Sequence, residues 1–132
     1  MKQSTILIIE DNAQNRYLAM FLLEQHGYQV VSAPDGQLGV ETARKIAPDL
    51  ILLDIQLPTM DGYAVARALR AIPSLASTPI VAVTSYAMVG DREKCLAAGC
   101  NGYVEKPINP ETFVAEIEIF LKPAVGQPKE NP

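Results

Sequence analysis

Five short apolar runs rich in β-branched residues recur along the chain, at residues 5–10, 28–33, 49–54, 79–84 and 101–105. Each is followed by a segment with helical spacing, at 13–26, 36–47, 62–71, 88–98 and 110–122. Strict alternation of strand and helix with short links constrains the fold more than any other feature. It implies a parallel sheet covered by helices on both faces, and right-handed crossovers reduce the topologies to a doubly wound α/β sheet. The apolar positions expected to face the core are Tyr17, Leu18, Phe21 and Leu22 in the first helix. They are Gly39, Ala43 and Ile46 in the second, and Val65, Leu69 and Ile72 in the third. The fourth carries a weaker pattern, Arg92, Cys95 and Leu96; the fifth has the clearest stripe, Phe113, Val114, Ile117, Phe120 and Leu121.

The punctuation agrees with this order. "PDG" at 34–36 and "MDG" at 60–62 are turn chemistry ahead of helices. "NPET" at 109–112 predicts Asn109 as an N-cap and Pro110 as the first helical residue. Gly27 and Gly99 sit where helices stop. A chain of 132 residues accommodates one domain, expected over residues 1–122. The tail at 123–132, "PAVGQPKENP", has little to bury and is expected to be disordered.

Charge and hydropathy narrow the function. The net charge is -4 and no basic cluster tracks along a face, which argues against direct nucleic-acid binding. No apolar run reaches the roughly 18 residues of a membrane span. The N-terminus is too short and too quickly charged for a secretory signal, so a cytoplasmic location is expected. Cys95 and Cys100 have no second ligand pair and His26 is far away in sequence, so they read as reduced thiols and not as a zinc site.

In an open α/β sheet, ligands bind outside the carboxyl ends of the strands, where the strand order reverses. The first strand ends in Glu10-Asp11, the third in Asp54 and the fourth in Thr84; Lys106-Pro107 follows the fifth. If those strands are neighbours, three acids, a hydroxyl and an ammonium converge on one crevice. Asp35, Asp61 and Asp91 fall instead in turns or first helical turns, where capping accounts for them. Asp49 opens its strand and belongs to the opposite rim.

Clustered carboxylates repel one another, which raises pKa values or recruits a cation. An all-oxygen set supplying few ligands suits Mg²⁺, which keeps several waters. A carboxylate that gives the metal one oxygen keeps the other as a nucleophile, and aspartyl phosphate is a known covalent form. A metal and Lys106 would then neutralise charge on phosphoryl oxygens, and Thr84 would donate a hydrogen bond. Singly, each residue has a plainer explanation. Glu10-Asp11 could cap a helix, Asp54 a turn, Thr84 could bond backbone, and Lys106 could be solvated. The joint placement at strand ends is what singles them out.

The segments "IIEDN" at 8–12, "LILLDIQLPTMDG" at 50–62, "PIVAVTSYA" at 79–87 and "GYVEKPI" at 102–108 resemble the receiver domain of two-component response regulators. The resemblance covers about residues 5–122. It implies a flavodoxin-like, five-stranded parallel sheet of order 2-1-3-4-5. It also implies a single-domain response regulator in which Asp54 accepts a phosphoryl group from a phosphohistidine. The donor would be a sensor histidine kinase or a histidine phosphotransfer protein. Asp11 and Asp54 would ligate Mg²⁺ directly, Glu10 through water, and the Gln56 main-chain carbonyl would complete the protein ligands. Lys106 would contact the phosphoryl group, with Pro107 in a cis bond after it. Thr84 and Tyr103 would form the coupled switch pair. Apart from the resemblance, Gln56 and Tyr86 stand beside the site, two residues after Asp54 and Thr84, and are expected to set the phosphoryl lifetime, the Tyr86 ring by obstructing the attacking water.

The expected output is a protein-binding face of helix four, strand five and helix five, read by a downstream protein target; the first helix is expected to dock the donor. On this reading the chain is a signalling domain that catalyses only its own phosphorylation and dephosphorylation, not an enzyme. The alternative is a metal-dependent phosphohydrolase acting through an aspartyl phosphate on small substrates. Such an enzyme of the haloacid-dehalogenase type needs a second Asp two residues after the nucleophile, where this chain has Gln56.

Overall fold

The structure is a computed structural model that describes residues 4–57, 60–85 and 89–121. Tyr86 and the tail at 123–132 lie outside the described residues. The elements run β1 (Thr5–Ile9), α1 (Ala13–Gln25), β2 (Gln29–Ala33), α2 (Gly36–Ile46), β3 (Leu50–Asp54) and α3 (Gly62–Arg70). They continue with a 3₁₀ turn (Pro73–Leu75), β4 (Ile80–Thr84), α4 (Val89–Ala97), β5 (Gly102–Glu105) and α5 (Phe113–Glu118). The five strands form one parallel sheet of order β2-β1-β3-β4-β5. β1 and β3 are neighbours, as are β3 and β4, so the chain reverses direction across the sheet beside β1. The 3₁₀ turn was not anticipated from the sequence; Pro73 supplies its fixed first dihedral.

The sheet separates two apolar layers. Leu7, Ile9, Ile51, Leu53, Ile80 and Ala82 face one, with Val65 and Leu69 of α3. Ile6, Ile8, Leu50, Leu52, Val81, Val83 and Val104 face the other, with Leu23 of α1 and Phe113 and Ile117 of α5. β3 and β4 are buried along their whole lengths. That explains why both read as unbroken apolar runs and not as alternating ones.

Four helix readings need correction. In α1 the buried residues are Ala19 and Leu23, with Met20 and Leu22 alongside, while Tyr17 is 72% and Phe21 48% exposed. Residues 17–23 are apolar all round, so spacing alone does not choose a face; the methyl of Ala19 lets the backbone approach the sheet. In α2, Gly39 and Ala43 are buried but Ile46, in the last turn, is partly exposed. In α4 Cys95 is buried, but Arg92 is exposed and Leu96 is 50% exposed. In α5 regular helix begins only at Phe113, with Thr112 at the N-cap. Asn109 instead closes a turn: its side chain accepts from the Glu111 N–H at 3.0 Å. Its carbonyl accepts from Thr112 and Phe113.

Other punctuation stands where it was expected. Asp35 accepts from Leu38 N–H at 2.8 Å and Asp61 from Tyr63 N–H at 3.0 Å, capping α2 and α3. Gly27 and Gly99 have φ of 88° and 109°. Asp49 lies at the opposite rim and accepts from the Thr5 N–H at 2.7 Å, fastening β1 to the start of β3.

Candidate functional site

The site is assembled by the backbone beyond the strand ends. Ile55 N–H donates to Val83 O at 3.1 Å, and Lys106 N–H donates to Thr84 O at 2.8 Å. The ladder therefore continues past β3 and β5 and holds Asp54, Thr84 and Lys106 at one edge of the sheet. After β1, Glu10 N–H donates to Ala33 O at the end of β2 at 3.1 Å, and the register of Ile9 with Leu53 sets Glu10 beside Asp54 at the end of β3. Gly62 brings α3 against this edge: a Cβ there would lie 2.5 Å from the Ile55 Cα and carbonyl oxygen. Only glycine allows the helix to start so close behind Asp54.

Oxygen atoms of Glu10, Asp11 and Asp54 lie within 4.8 Å of one another. Among the described residues this is the one such group of three side chains able to hold a metal. Asp54 is 2% exposed and Glu10 is 5% exposed, whereas Asp11 opens to solvent. The Lys106 ammonium is 3.1 Å from Asp54 Oδ1 and 3.9 Å from Glu10 Oε1. Asp54 Oδ1 also accepts from the Gln56 N–H at 2.8 Å. Glu10 Oε2 accepts from the Asn12 N–H at 3.2 Å.

The electrostatics follow from burial. Desolvation, then the nearby Asp54 carboxylate, push the Glu10 carboxyl up to about 7, against the opposing pull of Lys106. With every carboxylate ionised, three negative charges face one ammonium. A hard divalent cation with oxygen ligands would relieve that imbalance, and the donor set is all oxygen. The residues present therefore fit Mg²⁺.

Thr84 is 2% exposed at the end of β4, on the sheet face of Ala82. Tyr103 is half-buried on β5 and its ring lies in a groove between α4 and α5, away from the carboxylates. The Lys106–Pro107 bond is cis. Gln56 Oε1 accepts from both Ser85 N–H, at 2.9 Å, and Ser85 Oγ, at 2.8 Å, so its amide is tied across the site entrance. Cys95 and Cys100 are buried, unpaired thiols; burial pushes Cys100 up to about 12.

Some residues at the site carried no sequence signal of their own. Arg16 Nη1 donates to Glu10 O at 2.8 Å and braces the loop that presents the two acids. The expected Lys106 and Pro107 line a shallow cleft of about 220 Å³ together with Asn15, Ser85 and Ile108. Ser85 could have been suspected from its place after Thr84; Arg16 has no such marker, because a helical arginine normally reads as solvated.

A family model described as the response regulator receiver domain matches residues 6–118. The polar-differentiation response regulator DivK of Brucella anthropi is 38% identical over 117 residues, which cover 89% of this chain and 95% of that protein. DivK of Brucella ovis matches to the same extent. Among solved structures, the chemotaxis protein CheY4 of Vibrio cholerae has a TM-score of 0.88 at 28% identity, covering 91% of this chain and 100% of the other. The receiver domain of the sensor histidine kinase PA1611 from Pseudomonas aeruginosa has a TM-score of 0.82 at 36% identity, covering 91% and 98%. In that structure a magnesium ion is coordinated in the active site cleft.

Proposed function

Because the chain belongs to the response regulator receiver domain family, we propose that Asp54 is its phosphoacceptor. It is a signalling domain homologous to DivK and to CheY-type receivers, and its acidic pocket fits a phosphoacceptor role. One observation carries the choice of residue. Asp54 is the buried carboxylate that the Lys106 ammonium approaches most closely, at 3.1 Å, while two further acids stand within 4.8 Å.

An Asp54 carboxylate oxygen attacks the phosphorus of a phosphohistidine. An O–P bond forms, the P–N bond breaks, and its electron pair leaves with the imidazole nitrogen. The donor is a sensor histidine kinase or a histidine phosphotransfer protein. Glu10, Asp11, Asp54 and the Gln56 main-chain carbonyl would hold Mg²⁺, Glu10 through water. When bound, the ion neutralises charge on the phosphoryl oxygens. Lys106 leaves its carboxylate partner for the incoming phosphoryl group, and Thr84 donates its hydroxyl to the same group. Movement of Thr84 draws the Tyr103 ring inward, which changes the face of α4, β5 and α5 that a downstream protein reads. Gln56, held by Ser85, and Tyr86 tune how long the phosphoryl group survives.

The test is to incubate the protein with Mg²⁺ and a small phosphodonor and weigh it intact. One phosphoryl group is expected in wild type, and none in Asp54→Asn or after chelation. Repeated fast turnover of generic phosphate monoesters would instead mark the chain as a hydrolase.

A further inference from the structure

Arg92 on α4 and Tyr103 on β5 are joined twice. The Arg92 Nη2 group donates to the Tyr103 hydroxyl at 2.8 Å. Its Cζ also lies 5.2 Å from the ring centroid, within reach of a cation–π contact. One exposed side chain thus grips both the face and the polar tip of the aromatic ring.

The surroundings of the ring are open on one side and lined by small residues on the other. In its present place the ring is one wall of a groove of about 320 Å³ that Arg92, Leu96, Gly102 and Phe120 also line. Gly102 lets the tip of the Phe120 ring press against β5 as another wall: a Cβ at 102 would come 2.3 Å from Phe120 Cζ. On the other side lies β4. Ala82 is the register partner of Tyr103, and Thr84 follows it on the same sheet face. A methyl group is all that Ala82 sets beside the ring.

We propose that Arg92 is a positioning residue that latches Tyr103 in the α4–α5 groove and so opposes the response to phosphorylation. The proposal rests on the Thr84–Tyr103 switch reading above. The ring moves toward Thr84 only if Arg92 releases both contacts, so the latch biases the equilibrium toward the unphosphorylated surface. By linkage, whatever stabilises the outward ring weakens binding of a phosphoryl group or its mimic at Asp54 by the same factor. An exposed contact of this kind corresponds to roughly two- to five-fold in an equilibrium constant.

The experiment titrates beryllium fluoride, a phosphoryl mimic, into the full chain in the presence of Mg²⁺. The proteins are wild type, Arg92→Met, Arg92→Lys, Tyr103→Leu and the Arg92→Met, Tyr103→Leu double variant. Arg92 is exposed, so its variants keep the core intact. Arg92→Met is expected to bind the mimic about three-fold more tightly, with Arg92→Lys in between because it keeps charge but loses the planar fork. Without the mimic, the NMR signals of the Tyr103 ring in Arg92→Met should already move toward the positions seen in saturated wild type. A purely structural role would not produce that movement. In the Tyr103→Leu background, Arg92→Met should leave the affinity unchanged. An unaltered or weaker affinity in Arg92→Met, or an equal gain in the Tyr103→Leu background, overturns the latch while leaving the phosphoacceptor reading intact. Failure of wild type to bind the mimic at all removes that reading, and the latch with it.

Discussion

Raising the pH from about 5 to about 8 in the absence of divalent metal will destabilise this fold, and the cause is Glu10. Burial, then the Asp54 carboxylate, push its carboxyl up to about 7 from the ordinary 4.5. Between those values the folded chain holds a proton that the unfolded chain has lost. Stability therefore falls as pH rises through that window and is flat on either side of it. A shift of that size is equivalent to about 3 kcal/mol across the whole window, at about 1.4 kcal/mol per pH unit. For a domain of this length the unfolding midpoint should drop by roughly 10 °C. Thermal unfolding followed by far-UV circular dichroism, in chelator at several pH values, reads this directly. Saturating Mg²⁺ should abolish most of the slope, because the ion replaces the proton as compensation for the acidic cluster, and its stabilisation should be larger at high pH than at low. Glu10→Gln should flatten the profile in chelator. A midpoint that rises with pH across the window, or a slope unchanged in Glu10→Gln, refutes the reasoning.

Three further outcomes follow from the same structure. Gly62→Ala places a methyl against Ile55 backbone; it should cost roughly 2 kcal/mol in urea unfolding and weaken Mg²⁺ binding by displacing α3 from the site. Arg70→Met should cost roughly 3 kcal/mol, because this side chain donates to the carbonyls of Leu75, Ala76, Thr78 and Gly99 and to Asn101 Oδ1; a midpoint within error of wild type would show those contacts to be idle. Lys106→Met removes the ammonium 3.1 Å from Asp54, and should slow phosphoryl uptake from a small donor by roughly a hundred-fold when followed by stopped-flow or by mass.

Much of the fold was legible because alternation and turn chemistry agree. The strands end within a residue of their apolar runs, and Glu10 and Asp54 stand where the buried runs of β1 and β3 close. The crevice could then be placed from the switch point alone. What was not legible depends on distance between elements. The buried face of α1 was misread because Tyr17 and Phe21 are as apolar as Leu22 and Leu23. The sheet accepts Ala19 for its size, and periodicity carries no information about size. The sequence points to Asn109 as the N-cap of α5 and not to Thr112, because capping and turn closure use the same side-chain bond. Arg70, Arg16 and Arg92 gave no warning, since each looks like an ordinary helical arginine until its acceptors arrive from other segments.

The measurement that bears most directly on the central claim is location of the modified residue. Phosphorylate the protein with a small donor and Mg²⁺, reduce it with borohydride so that an aspartyl phosphate becomes homoserine, digest it and sequence the peptides. Homoserine at position 54 alone is the predicted result. Reduction at Glu10 or Asp11, or label carried by a side chain outside this pocket, would contradict it.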